Sequence, residues 1–153
     1  MYRNQTLHVM ASVLLLGIFA PVLADQADDP YAVAARHYSR ARWQLAVEEF
    51  KTFLDQYPQH ARAGDVTFFL AESLVQLGRF DEARQRYATY NEESPAGRYA
   101  QRARFRVGEA AYLAANFAAA RRDLQRFWQE YPEDPLNGYA LGYLGEIALD
   151  AEQ

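Results

Sequence analysis

Apolar residues recur along this chain with the three- and four-residue spacing of an amphipathic α-helix. Between residues 65 and 77 they fall at Phe69, Leu70, Leu74 and Leu77, which places them on one helical stripe. β-branched residues, which favour strands, are scarce after residue 25. The pattern therefore predicts a helix over about 65–77.

A second helix is predicted directly after the first. Gly78 suits the left-handed conformation at a helix end. Ala83, Tyr87 and Tyr90 then form the stripe of the next helix, and Pro95 cannot continue it. Together the two segments make one helix–turn–helix unit.

The whole unit recurs with a period of 37 residues, which separates Pro58 from Pro95 and Pro95 from Pro132. A fourth, partial register continues at Leu144 and Gly145. Six further columns keep the same spacing: Ala46, Ala83 and Ala120; Trp43, Phe80 and Phe117; Phe50, Tyr87 and Leu124; Phe53, Tyr90 and Phe127; Val33, Leu70 and Val107; Ala34, Ala71 and Gly108.

A single helical pair cannot bury both of its faces, so successive pairs must stack on one another. We therefore expect an all-α solenoid over 31–151, built from about three helix pairs and a C-terminal helix. The expected units are about 31–58, 64–95 and 101–132, followed by a final helix over 137–151.

The repeat resembles the tetratricopeptide repeat (TPR) family, which has a small residue late in its first helix, an aromatic at the turn, an Ala early in its second helix and a Pro at its end. In the second unit these are Ala71, Phe80, Ala83 and Pro95. The resemblance implies a right-handed α-solenoid that binds proteins or peptides and has no catalytic role. The period is 37 residues, whereas the family repeat has about 34.

The ending aromatic-x-x-x-Tyr-Pro, at Phe53 to Pro58 and again at Phe127 to Pro132, is similar to that of exported bacterial envelope TPR proteins. Two types resemble it: the Tol–Pal-associated division coordinator and the lipoprotein of the outer-membrane β-barrel assembly machine. The resemblance implies a scaffold role in envelope assembly or cell division as an alternative function. The chain contains no cysteine for a lipid anchor, so the resemblance extends to the group and not to one member.

The first 24 residues have the pattern of a signal peptide. Arg3 gives a positive start, the apolar run spans 9–20, and Val22 and Ala24 suit the positions before a cleavage site. We expect cleavage after Ala24, a short acidic leader over 25–30, and an exported protein that is periplasmic or envelope-associated and not a lipoprotein. The alternative is an uncleaved N-terminal anchor.

Composition and motifs point away from catalysis. The net charge of −4 argues against nucleic-acid binding. The three histidines have no metal-ligand spacing, and no nucleophile, phosphate-loop or metalloprotease motif is present. We expect no enzyme activity, no cofactor, no metal and no small-molecule substrate. The expected partner is a protein or peptide.

The candidate partner site is the concave face that the first helix of each pair would line. It mixes aromatic and charged side chains, which are enriched at interaction hot spots. The predicted groove residues are Tyr31, Tyr38, Phe68, Glu72, Arg102, Phe105, Arg106, Glu109, Tyr112 and Tyr143. The competing interpretation places some of these aromatics in the core.

Two interpretations also remain for the arginines. Seven arginines and only two acidic residues lie between residues 98 and 126. Either neighbouring helices pair these charges with each other, or Arg102 and Arg106 hold an acidic or C-terminal carboxylate of a peptide.

The final predicted helix is unusually apolar for the end of a solenoid. Its face includes Leu141, Leu144, Ile147 and Leu149. It would dock a partner, mediate self-association with another copy, or continue into a longer repeat array.

Overall fold

The computed structural model describes residues 30–151, so the predicted signal peptide, its cleavage site and most of the acidic leader lie outside the described residues. Every regular element in that range is an α-helix. Helix α1 covers residues 30–39. The others are α2 (Trp43–Gln56), α3 (Ala63–Gln76), α4 (Phe80–Glu93), α5 (Ala100–Leu113), α6 (Phe117–Glu130) and α7 (Asn137–Asp150). The predicted all-α solenoid fold is confirmed.

The 37-residue period is visible in the helix starts. The second helices of the pairs begin at Trp43, Phe80 and Phe117. The first helices from the second unit onward begin at 63, 100 and 137. Each of these six helices is 14 residues long, so the same pair is built three times and α7 begins a fourth period.

The turn inside each pair uses one left-handed residue at the same column. Gly78 has φ 70°, as the sequence predicts, and Ala41 and Ala115 have φ 53° and 58°. An alanine pays a steric penalty in this conformation that a glycine avoids. The first and third turns are therefore built less favourably than the second.

The connection between pairs is set by residues that leave the helical conformation just before a proline. Tyr57, Ser94 and Tyr131 have φ of −131°, −132° and −130° and each precedes a Pro. Proline disfavours the α conformation in the residue before it. The Tyr-Pro motif is thus the end signal of the second helix.

Small residues let the helices of a pair approach closely. Ala46, Ala83 and Ala120 are fully buried. At Gly108, a Cβ would lie 2.7 Å from Leu124 Cγ on α6. The core accordingly runs along the solenoid between the first and second helices, with large buried side chains such as Phe50 supplied by the second helices.

Between residues 30 and 151, no helix combines the length and apolar character that crossing a bilayer requires.

Candidate functional site

The first helices α1, α3, α5 and α7 lie side by side and form one surface, which we call the first-helix face. Tyr38 on α1 contacts Phe69 on α3, with ring centroids 5.1 Å apart. Charged groups join α3 to α5, and the Tyr143 hydroxyl on α7 donates to Glu109 on α5 at 3.1 Å. This face carries most of the predicted groove residues.

Three glutamates lie at one column of the repeat on this face, 37 residues apart, and each accepts a hydrogen bond from a tyrosine hydroxyl. Glu72 and Glu109 are each only 9% exposed. A hydrogen bond to a charged acceptor offsets much of the desolvation of a buried carboxylate. The pairs are Glu72 with Tyr87, Glu109 with Tyr143, and Glu146 with Tyr112.

Two arginines of α5 complete this polar cluster. Arg106 Nε lies 3.1 Å from Glu72 Oε1, and the same guanidinium donates to Glu109. Arg102 Nη2 reaches Glu72 Oε2 at 3.3 Å. Neighbouring helices therefore pair these charges within the chain, which is one of the two interpretations the sequence left open.

The two arginines differ in how available they are. The Arg106 side chain is 23% exposed and is held between two carboxylates, whereas the Arg102 side chain is 50% exposed and makes a single, longer ion pair. Arg102 also lies over the Phe68 ring, 5.6 Å from its centroid. Of the two, Arg102 is the cation that can turn toward a ligand.

The cluster shifts the proton equilibria of its members. Burial and the negative charge of Glu72 raise the pKa of Tyr87 well above that of a free tyrosine. Burial and Glu109 raise the pKa of Tyr143 to about 12. Burial alone would lower the pKa of Arg106, but its bonds to Glu109 and the charge of Glu72 outweigh that effect and raise it. The hydroxyls stay protonated and the guanidinium stays charged at neutral pH.

Two predicted groove aromatics lie in the core, which corrects their expected exposure. Phe68 is 1% exposed and stacks on Tyr99 with centroids 4.3 Å apart. Phe105 is 3% exposed and packs edge-on against Phe127, 5.5 Å away. Both side chains pack against the second helix of their own pair, so very little of either ring is exposed to a partner.

The four predicted tyrosines are partly exposed on or beside the first-helix face. Tyr31 packs against Phe53 at 6.1 Å, and the Arg62 guanidinium lies 4.5 Å from the Tyr31 ring centroid. Tyr112 and Tyr143 contact each other with centroids 4.6 Å apart. The structure thus brings Tyr112 and Tyr143 together with the charged cluster and places Tyr31 at the far end of the solenoid.

A recess of about 390 Å³ opens between α5 and the start of α7. Its most exposed aromatic is Tyr139, at 65% exposure. The lining residues are Arg102, Phe105, Arg106, Glu109, Leu136 and Tyr139. A small recess that combines charged groups with the apolar side chains of Phe105 and Leu136 suits a side chain or a chain end of a peptide better than a large cofactor.

The sequence missed the role of Tyr87, which it places in the core stripe of α4. One signal was present: its column holds Phe50 and Leu124 in the other units, so only the unit with Glu72 on its first helix has a hydroxyl there. The hydroxyl is needed because Glu72 is buried beside it.

No group of three metal-ligating side chains occurs in the part of the chain that the structure describes. His60 Nδ1 accepts a hydrogen bond from the Arg62 backbone N–H at 3.1 Å, and its ring packs edge-on against Phe53. His60 is therefore a structural residue of the first connection.

Models of the tetratricopeptide repeat match residues 32–104 and 102–134 of this chain. Among solved structures, the chain is similar to the TPR2B domain in the complex of yeast Sti1 with pHsp70. The TM-score is 0.64 at 16% identity, over 82% of this chain and 98% of that one. It is also similar to PcrH from Pseudomonas aeruginosa, with a TM-score of 0.63 at 16% identity, over 89% of this chain and 98% of that one. At this identity the two structures show the fold alone.

Proposed function

Because this chain belongs to the tetratricopeptide repeat family and is thus built as a protein–protein interaction module, we propose that it holds a peptide or a partner protein against its first-helix face. The role is non-enzymatic and uses no cofactor. The repeated helix pairs serve as a rigid frame, and the recognition chemistry lies on α5 and α7.

The observation that carries this proposal is the position of Arg102 at the edge of the recess. Its side chain is 50% exposed, and its ion pair with Glu72 is 3.3 Å long. A guanidinium can pair with a carboxylate through two parallel hydrogen bonds. The partner segment would therefore present an acidic side chain or a C-terminal carboxylate to Arg102.

The rest of the cluster supports this arrangement by holding its elements in place. Arg106 bridges Glu72 and Glu109 and so fixes α5 against α3. Tyr139 lines the recess together with Arg102 and Arg106, and Tyr143 contacts Tyr112 and Glu109 farther along the same face. Such rings contribute contact area with little loss of conformational entropy. A ready-made surface of this kind needs little rearrangement on binding.

Export to the cell envelope is a second part of the proposal. It rests on the signal-like sequence of residues 1–24 and on the long Tyr-Pro connection, which resembles that of exported envelope proteins. A scaffold role in envelope assembly or division is the alternative within this setting. N-terminal sequencing of the protein from fractionated cells tests export. We expect a chain that begins at Asp25 in the periplasmic or envelope fraction, and an intact Met1 in the cytoplasm would contradict it.

Site-specific photo-cross-linking tests the binding face. A photoreactive residue would replace Tyr139, beside the recess, or Trp128, which is 44% exposed on α6. We expect a discrete cross-linked partner from the Tyr139 position that is absent from the Trp128 position. Cross-links formed only at Trp128 would move the binding surface to the second helices and contradict the proposal.

A further inference from the structure

Helix α7 has an apolar stripe that the other elements between residues 30 and 151 cover only in part. Leu141, Leu144, Gly145 and Ala148 follow one another at intervals of three, one and three residues, which aligns them on one side of the helix. Leu141 is 48% exposed, and Gly145 and Ala148 are also exposed, whereas Leu144 is half-buried at the edge of the core. We call these four residues the open stripe.

Two of these columns, those of Gly145 and Ala148, are buried in the two preceding first helices. One period before Gly145 is Gly108, which is buried, and two periods before it is Ala71, at 0% exposure. One period before Ala148 is Ala111, which is 1% exposed. On α3 and α5 the second helix of the pair covers these positions, and between residues 30 and 151 no second helix covers the equivalent positions of α7.

The two equivalent glycines show this difference directly. A Cβ on Gly108 would lie 2.7 Å from Leu124 Cγ and 3.0 Å from the Leu124 backbone nitrogen, because α6 lies against α5 there. A Cβ on Gly145 would meet no described atom within 4 Å. Gly145 thus leaves room for the close approach of another helix backbone, as Gly108 does.

The helices that fill this position elsewhere share a pattern. Each has an alanine, then a large apolar residue four positions later and an aromatic residue seven positions later. The three sets are Ala46, Phe50 and Phe53; Ala83, Tyr87 and Tyr90; and Ala120, Leu124 and Phe127. All nine residues are at most 1% exposed.

We propose that the open stripe of α7 docks an amphipathic α-helix of a partner protein that carries this small–x3–large apolar–x2–aromatic pattern. The contact would extend the α5–α6 type of interface by one helix. It is separate from the peptide site at Arg102, since it lies on the side of α7 that continues the helix pairing. Residues 129–153 include six acidic residues and no basic one, so basic residues on the flanks of the docked helix are complementary.

The sequence of α6 itself provides a probe. A fluorescent peptide covering residues 116–131, with a lactam between positions 121 and 125, would present the pattern as a preformed helix. Both positions are exposed in α6, so the lactam stays off the docking side. We expect saturable binding to the full chain by fluorescence anisotropy, and at least a tenfold loss of affinity when the peptide carries Leu124→Asp.

A matched pair of receptor variants locates the binding. Gly145→Leu fills the open stripe, while Gly142→Leu adds the same side chain elsewhere on the same helix. Neither would meet a described atom at its Cβ, and both raise helix propensity, so both should keep the fold. We expect Gly145→Leu to weaken peptide binding at least tenfold and Gly142→Leu to change it less than twofold.

Absence of saturable peptide binding, or equal binding to wild type and Gly145→Leu, would overturn the proposal. Light scattering on the full chain tests whether a second copy of the chain occupies the open stripe instead. A wild-type dimer that Gly145→Leu converts to a monomer would assign the stripe to a second copy and would also overturn docking of a partner helix. A monomer that binds the peptide supports it.

Discussion

Arg106 on α5 pairs with Glu72 on α3 at 3.1 Å, and so joins the first helices of two successive repeats. Glu72 also accepts from the Tyr87 hydroxyl on α4 and from Arg102. A buried carboxylate with several donors is stable only while those donors stay in place. The cluster thus ties the position of the recess to the packing between repeats.

The Tyr87 hydroxyl should contribute measurably to stability. Tyr87→Phe leaves the buried Glu72 carboxylate without one donor, and we expect the free energy of unfolding to fall by about 1.5–3 kcal/mol. Tyr112→Phe removes a hydroxyl that donates to the exposed Glu146, and its effect on the free energy of unfolding should be clearly smaller than that of Tyr87→Phe. Urea denaturation measures both, and equal losses would show that burial of Glu72 does not matter.

Alkaline pH should weaken the fold through the raised tyrosine pKa values. The pKa of Tyr143 is raised from 10.0 to about 12 in the folded chain. The protonated hydroxyl therefore stabilises the fold fully below pH 10, and this stabilisation is lost as pH rises from about 10 through about 12. Tyr87 shifts in the same direction.

Urea denaturation between pH 8 and pH 11.5 checks the direction of this pH dependence. The free energy of unfolding should decline steeply above pH 10. Tyr143→Phe should make that decline shallower. A variant that declines as steeply as wild type would show that Tyr143 titrates in the fold as it does in the unfolded chain.

Replacing the glycines at equivalent positions of α5 and α7 by alanine should change the free energy of unfolding in opposite directions. Gly108→Ala brings a methyl group to 2.7 Å from Leu124 and should destabilise the protein by about 1–3 kcal/mol. Gly145→Ala enters open space on a helix and should stabilise it by about 0.5–1 kcal/mol. Thermal and urea unfolding measure whether each variant is more or less stable than wild type. A loss at Gly145 as large as that at Gly108 would mean that another helix already covers the open stripe.

The left-handed turn positions provide a fourth test. Ala115→Gly and Ala41→Gly should each raise the free energy of unfolding by about 0.5–1 kcal/mol, because glycine adopts their positive φ without steric penalty. Gly78→Ala should lower it by about 1 kcal/mol for the same reason. Unfolding curves of the three variants are sufficient, and a destabilised Ala115→Gly would contradict the role assigned to the turn.

The sequence predicted the fold well because its main signals are local. The 37-residue period, the left-handed Gly78 and the helix end before Pro58 follow from backbone preferences that each unit repeats. Such preferences act within a few residues and need no knowledge of the neighbouring helices. The start of α7 at Asn137 follows from the same period.

It was harder to predict whether each aromatic side chain lies in the core or on the first-helix face. Phe68 lies one helical turn before Glu72 and shares its stripe, yet Phe68 is buried against Tyr99 at the start of the next unit. The spacing of residues within one helix does not show which of its turns the next helix pair covers. The pairing of Arg106 with Glu72 was undetermined for the same reason, since it depends on the offset between α3 and α5.

The central claim is that the first-helix face binds the partner through Arg102. The direct measurement is the affinity of the segment identified by cross-linking, titrated calorimetrically into wild type, Arg102→Glu and the control Arg126→Glu, which places the same charge change on the exposed surface of α6. Matching thermal unfolding curves would show that all three chains are folded. We predict that Arg102→Glu weakens binding at least tenfold, about 1.4 kcal/mol or more, and that Arg126→Glu leaves it within about twofold. Equal affinity for wild type and Arg102→Glu would contradict the account.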